Sequence, residues 1–498
     1  MPDTVSLPGA EEAFARARAT TWRMLIGGEW VDARSGETFE VRDPSNGRVI
    51  AVAPSGAAAD IDAAVAAARD AFTDQRWLRL GGVERGKRLM RLAELIEANA
   101  AELQALETLN NGVPSNIAQY FTFFAADAFR YYAGWCSKIY GSTSDISTPE
   151  AQFHAYTHKE PVGVAGLIVP WNGPLASASM KLATALAAGC TCVLKPAEET
   201  PLSALWLGEL VLEAGIPAGV VNIVTGFGHT AGAALAAHPD VDKVSFTGST
   251  EVGKKIVQAA AGNLKKVSLE LGGKSPVVIL DDANLDKAIP GAALGTFFNT
   301  GQVCVAGSRV FVQRNIYDRV VDGMASVGAS LRIGPGFDPS AQIGPLISHK
   351  QLDRVVSLVD GARGEGAEVI GGGRHGDDGY FYKPAVVTHC ASDATILREE
   401  VFGPVLTALP FDDFDEAVKL ANDTSYGLAA AVWSESLNKA HRFAKAVQAG
   451  TVWINCQLVL NSGLPFGGYK QSGWGRENGV EGLESFMQSK TVMAMLDA

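Results

Sequence analysis

Between residues 162 and 261, short β-branched runs alternate with longer helical stretches, and no other feature of the chain constrains its fold as much. The runs 162–169, 191–194, 220–224 and 243–247 read as strands. The stretches 177–188, 202–213, 230–237 and 251–261 read as the helices that follow them. Gly189, Gly215 and Gly262 stand where those helices should stop. Strand followed by helix at this spacing predicts a parallel sheet covered on both faces, with ligands bound outside the carboxyl ends of its strands. A second α/β series opens near Ser275 and closes at 451–455. Two strand-like pieces, 153–158 and 490–496, belong to neither series and predict a small β arm of the kind that joins subunits.

Charge and composition remove several classes of function. The chain of 498 residues carries 42 Lys+Arg against 54 Asp+Glu, a net charge of −12, and no basic run able to grip phosphates, so no nucleic-acid partner is expected. The most membrane-like window, 161–180, is uncharged but contains Pro170 and Pro174 with Asn172 and Gly173 between them, which would break a spanning helix at its middle. The first thirty residues contain Asp3, Glu11 and Glu12 and lack the apolar run of a secretory signal. Six scattered cysteines form no disulfide framework, and no Cys-x-x-Cys pair points to a metal; a reducing, cytoplasmic setting is expected.

One literal dinucleotide fingerprint, Gly371–Gly376, is rejected because 379–384 after it reads as loop and strand and opens no helix whose amides could face a pyrophosphate. A better phosphate site is the turn around Phe246, Thr247, Gly248 and Ser249, which follows a strand and opens a helix. Taken alone, it is an ordinary strand-to-helix turn. Lys195 and Glu198, at the end of a neighbouring strand, have the charges and spacing to hold a ribose, although a solvated ion pair is the simpler account of such residues. Glu198 would also repel a 2′-phosphate, which favours NAD over NADP. Cys304 stands among valines, as a small buried hydrophobe would, yet Gly301 and Gly307 flank it as they would backbone approached by a ligand. Glu270 ends an apolar strand before Gly272 and Gly273, where burial would raise its pKa toward the range of a general base. Asn172, set between two prolines, is either a turn former or a rigid neutral donor suited to an oxyanion hole.

Seven segments in order carry a family likeness: 170–172 (Pro-Trp-Asn), 195–198 (Lys-Pro-Ala-Glu), 246–249 (Phe-Thr-Gly-Ser), 269–275, 301–304 (Gly-Gln-Val-Cys), 400–404 and 465–470. Over about 25–493 the sequence resembles the aldehyde dehydrogenase superfamily, in its hydrolytic form that does not acylate coenzyme A. The resemblance implies Cys304 as nucleophile, Glu270 as base, and an oxyanion hole made by the Asn172 amide with the Cys304 backbone N–H. Lys181 and Glu477 match positions of a proton relay. NAD is the implied cofactor, held by Ile168, Pro170, Trp171, Lys195, Glu198, Gly228, Phe246, Gly248, Ser249, Leu271, Gly272, Glu400 and Phe402. The fold expected is α/β: a Rossmann-like NAD-binding domain (8–139 and 161–272), a catalytic domain (273–470) and an oligomerisation arm (140–160 and 471–498), assembled as a homotetramer, a dimer of dimers.

For the substrate, Gly173 stands where many relatives carry an aromatic residue, and Ser177 and Met180 follow where bulky side chains are frequent, so a wide tunnel is expected. The opposite wall is assigned to Tyr120, Phe124, Val303, Val305, Leu458, Leu460 and Phe466, without an Arg or Lys to pair with a charged tail. Phe121 and Phe129 are expected in the core. A bulky apolar aldehyde, aromatic or terpenoid, is the expected substrate. The alternatives are a medium- or long-chain aliphatic aldehyde, or a cysteine esterase or structural protein on the same scaffold.

Overall fold

The computed structural model describes residues 10–496, so residues 8–9 of the expected first domain and 497–498 of the arm lie outside it. Two helices, α1 (Ala100–Asn111) and α2 (Ser115–Ala133), lead into the alternating region. There the strands are β1 (Val164–Ile168), β2 (Thr191–Lys195), β3 (Val221–Ile223), β4 (Lys243–Thr247) and β5 (Lys266–Glu270). They pair in parallel in the order β5-β4-β1-β2-β3. All five residues of β1 and of β2 are buried, as the unbroken apolar runs demand when helices cover both faces. Helix α3 (Pro174–Ala188) follows β1, with Pro174 in its first turn and Gly189 closing it in the left-handed region at φ 98.

Short antiparallel strands complete an eight-stranded sheet. Met24–Ile26 pairs with β3 and Glu29–Val31 with Met24–Ile26, and Gly473–Trp474 pairs with β5. The predicted helix 230–237 starts two residues earlier and wider, as a π-turn over Gly228–Gly232. Strand order reverses between β1 and β4, since the chain leaves β1 toward β2 and later returns to β1's other side. A crevice forms outside the carboxyl ends at that switch point, between the 170–172 loop and the 248–249 turn.

The second series forms a seven-stranded sheet built on Pro276–Ile279, parallel throughout except at the edge strand Glu368–Gly371. Gly371 ends that strand and Gly372 and Gly373 follow it, all three with positive φ, and no helix opens there. The arm pieces pair with each other. Phe153–Pro161 and Met487–Met495, both longer than predicted, run antiparallel, and Thr143–Ser144 completes a three-stranded sheet. Among the described residues, no helix is long and apolar enough to cross a membrane.

Candidate active site

A cleft of about 610 Å³ opens at the switch point. Pro170, Trp171, Asn172, Gly248, Ser249, Glu270, Leu271, Gly272, Cys304, Glu400 and Phe402, all singled out from sequence, share its wall. Cys304 reaches it from a loop of the second sheet. Gly273 admits that loop, since a Cβ on it would stand 2.3 Å from the Cys304 carbonyl oxygen, and Gly272 admits Glu400, whose Oε2 would lie 2.4 Å from a Cβ there. Burial, with the Glu400 and Glu270 carboxylates nearby, pushes the Cys304 thiol up to about 12. Without another charge beside it the thiol is therefore neutral at physiological pH.

Glu270 ends β5, buried, and neither carboxylate oxygen has a hydrogen-bond partner among the described residues. Burial, then the Glu477 charge, raises its pKa well above the usual carboxylate range, while Lys181 and Arg476 pull it back. An unpartnered carboxylate facing a cleft is free to take a proton from a water there. Behind it, Lys181 donates to Glu477 in an almost wholly buried ion pair. Ser245 joins both partners, accepting from Lys181 Nζ at 2.8 Å and donating to Glu477 at 3.1 Å.

Asn172 is held at side chain and backbone: its Nδ2 donates to the Gln302 carbonyl at 2.8 Å, and its backbone carbonyl accepts from Asn299 Nδ2 at 2.9 Å. Two residues on α1 support the same loop. Asn111 Nδ2 donates to the Trp171 carbonyl, and Glu107 accepts from the Leu175 N–H at the start of α3. Burial pushes the Glu107 carboxyl up to about 7.

Several residues suit a dinucleotide. Lys195 Nζ lies 3.0 Å from Glu198 Oε2, and the Gly228 N–H donates to Glu198 Oε1 at 3.4 Å. Burial raises Glu198, but Lys195 and backbone hydrogen bonds prevail and hold its carboxyl below the usual range, charged and ready to accept from hydroxyls. Ser249 caps the helix α4 (Thr250–Ala260) by accepting from the Val252 N–H, so the N–H groups of its first turn face the cleft. The Thr247 hydroxyl, buried and without a partner among the described residues, lines the same wall. At the opposite end Glu400 Oε1 accepts from the Gly273 N–H at 2.8 Å, and the Phe402 ring meets Trp171 edge-on at 5.3 Å. Ile168 and Phe246, near the carboxyl ends of β1 and β4, are buried in the core and do not line the cleft.

Of the proposed substrate wall, Tyr120 and Phe124 pack with ring centroids 6.3 Å apart, and Phe298 meets Tyr120 edge-on. A Cβ on Gly173 would lie 3.7 Å from the Phe121 ring and 3.9 Å from Ser177 Oγ, with nothing closer. Val303, Leu458, Leu460 and Phe466 are half-buried against the core that also holds Cys304. Val305 is a correction. At 1% exposure it packs within that core and offers no side-chain surface to a substrate, because the residue after the thiol turns toward the second sheet. Phe121 and Phe129 are buried as expected.

The sequence reading missed Lys350, Gln351 and Arg354, which face the cleft from the helix His349–Gly364. Gln351 donates to the Val401 and Phe402 carbonyls, and Arg354 to that of Glu400, which ties this helix to the 400–402 loop. Ser245 and Asn299 were also missed. A polar residue inside an apolar strand was the available signal for Ser245.

A parallel sheet whose switch-point crevice faces a thiol delivered by a second α/β domain is an architecture suited to nucleotide-dependent chemistry on a covalent intermediate. Comparison with known proteins is specific. The model of the aldehyde dehydrogenase family matches residues 30–492. Human mitochondrial aldehyde dehydrogenase is 48% identical over 475 residues, covering 94% of this chain and 91% of that protein. Aldehyde dehydrogenase family 2 member C4 of Arabidopsis thaliana is 47% identical over 477 residues, 95% of each. The structure of an aldehyde dehydrogenase from Bacillus cereus in complex with NAD+ superposes with a TM-score of 0.95 at 47% identity, covering 98% of both chains. The chain belongs to the aldehyde dehydrogenase family.

Proposed function

We propose that this protein oxidises an aldehyde to its carboxylic acid with NAD+ through a covalent bond to Cys304, and that the aldehyde carries a bulky, apolar, aromatic or terpenoid tail. The observation that carries the reading is the meeting of the Cys304 thiol, the unpartnered Glu270 carboxylate and the anchored Asn172 amide on one cleft. With its proton given up to water in the cleft, the Cys304 sulfur adds to the aldehyde carbon. Asn172 Nδ2 and the Cys304 backbone N–H then donate to the oxygen as it gains negative charge, and losing one such donor costs roughly 10²–10³ in rate. NAD+, when bound, supplies the hydride acceptor that turns this adduct into a thioester. Glu270 takes a proton from water, the water attacks the thioester carbon, and the acid leaves as Cys304 is restored. Lys181, Ser245 and Glu477 tune the charge behind Glu270 and offer a route for its proton.

Lys195, Glu198 and Gly228 would hold the adenosine ribose, Ser249 and the start of α4 the pyrophosphate, and Glu400 with Phe402 the nicotinamide end. The negative Glu198 supports NAD over NADP. Gly173, Ser177, Tyr120 and Phe124 are assigned to the tunnel, and their lack of charge supports an uncharged tail. We also assign 8–139 with 161–272 to cofactor binding, 273–470 to catalysis, and 140–160 with 471–498 to joining a homotetramer. An exposed nine-residue edge strand, Met487–Met495, supports the last assignment, since such an edge invites a covering partner. A panel of aromatic, terpenoid, aliphatic and charged aldehydes, assayed with each cofactor for its reduced form, tests the reading. Highest kcat/KM for bulky apolar aldehydes with NAD+ is expected; preference for a charged semialdehyde, or no cofactor reduction, would refute it.

A further inference from the structure

The thiol loop is strained where it meets the Asn172 loop. Asn299 (φ 50, ψ 37) and Thr300 (φ 57, ψ 31) are both left-handed, and Gly301 continues at φ 70. Asparagine adopts this region readily, whereas β-branched Thr300 does so only when its surroundings impose it. Those surroundings are present. Thr300 Oγ1 donates to the Gly344 carbonyl at 3.0 Å, and Gln302 Nε2 donates to the Asn299 and Pro345 carbonyls at 3.4 Å each. Gln302 Oε1 accepts from the Ile347 N–H at 2.9 Å. The side chains of Asn299, Thr300 and Gln302 are all buried.

The strained turn exchanges hydrogen bonds with the strand-end loop in opposite directions. Asn299 Nδ2 donates to the Asn172 carbonyl, while Asn172 Nδ2 donates to the Gln302 carbonyl. A primary amide is planar and has two N–H groups, so anchoring one fixes where the other points. The bond from Asn299 in turn fixes the peptide that carries the Asn172 side chain. We propose that Asn299 is a positioning residue that aims the free N–H of Asn172 at the substrate oxygen. It acts through that residue and does not touch the reacting atoms. The inference rests on the reading of Asn172 as an oxyanion donor.

A double-mutant cycle on the full-length enzyme tests it, using kcat, KM for NAD+ and thermal midpoint for Asn299→Gly, Asn172→Ala and the pair. Glycine keeps the left-handed backbone at ease while removing the Asn299 side chain and its hydrogen bonds to the Asn172 and Gln302 carbonyls. Asn299→Gly should lower kcat by roughly 10- to 100-fold with little change in KM for NAD+, as expected for a misaimed catalytic group. In the Asn172→Ala background the same change should cost less than about 2-fold, because the two side chains act as one unit. Unchanged kcat in Asn299→Gly, or losses that multiply in the double variant, would overturn the inference while the oxyanion role of Asn172 stands. Full activity in Asn172→Ala would overturn that role and the inference together. Should the glycine variant fail to fold, Asn299→Asp takes its place in the cycle with the same expectations, since aspartate tolerates the left-handed turn but cannot donate when ionised.

Discussion

Replacing Lys181 with Met separates the structural and the electrostatic consequences of the charge behind the base. The Lys181 side chain is 1% exposed and that of Glu477 8%, so removing the ammonium leaves a carboxylate buried with only the Ser245 hydroxyl to donate to it. Breaking a buried pair from one side costs about 3–5 kcal/mol, most of it the penalty on the stranded charge. Urea denaturation at fixed protein concentration should show a loss of this size for Lys181→Met. The double variant Lys181→Met/Glu477→Leu, which strands no charge, should lose less than the single one. The catalytic consequence has a definite sign. Lys181 lowers the pKa of Glu270 and Glu477 raises it. A general base works when deprotonated, so activity rises as pH passes upward through its pKa. In the pH profile of kcat, the rising limb should therefore move to higher pH in Lys181→Met and to lower pH in Glu477→Gln. A stability loss under about 1 kcal/mol would refute the buried-pair argument, and limbs moving in the same direction would refute the electrostatic one.

Gly173→Phe should cut kcat/KM for bulky aldehydes by roughly 10- to 200-fold and spare small ones, because the Phe121 ring 3.7 Å from the new Cβ leaves the larger side chain only the tunnel to occupy; equal losses for both would sink the substrate assignment. Glu107 should make stability fall as pH rises. Its carboxyl is pushed from 4.5 up to about 7, so the folded protein keeps a proton that the unfolded chain releases. Across that window the loss is on the order of 3 kcal/mol, and Glu107→Gln, which can still accept from the Leu175 N–H, should flatten that part of a stability-versus-pH curve.

The parts of the fold that were legible are those where one rule acts alone. β1 and β2 are buried on both faces, and an unbroken apolar run has no other soluble solution. Glu270, Asn172 and Ser249 were legible because each stands at the end of a strand or the start of a helix, where a local pattern marks both the element and its carboxyl or amino end. Gln351 and Arg354 were not. They lie on an ordinary amphipathic helix about fifty residues beyond the thiol, and only packing brings them to Glu400 and Phe402. Asn299 and Thr300 were hidden for a different reason. Threonine favours extended backbone, and its left-handed turn is imposed through hydrogen bonds from Thr300 and Gln302 to the Gly344 and Pro345 carbonyls, more than forty residues on and outside any local window. Val305 was misread because adjacency to Cys304 says nothing about direction, and the chain there turns back into the second sheet.

In the proposed covalent cycle Cys304 carries the acyl group and Glu270 releases it. Its most direct measurement is a single mixing of Glu270→Gln with aldehyde and NAD+, following NADH by stopped flow and the acid-quenched protein by peptide mass spectrometry. A rapid burst of about one NADH per active site followed by slow turnover, with the acyl mass on the Cys304 peptide, is expected. A linear trace at the wild-type rate, or a burst without acyl mass on that peptide, would contradict the cycle.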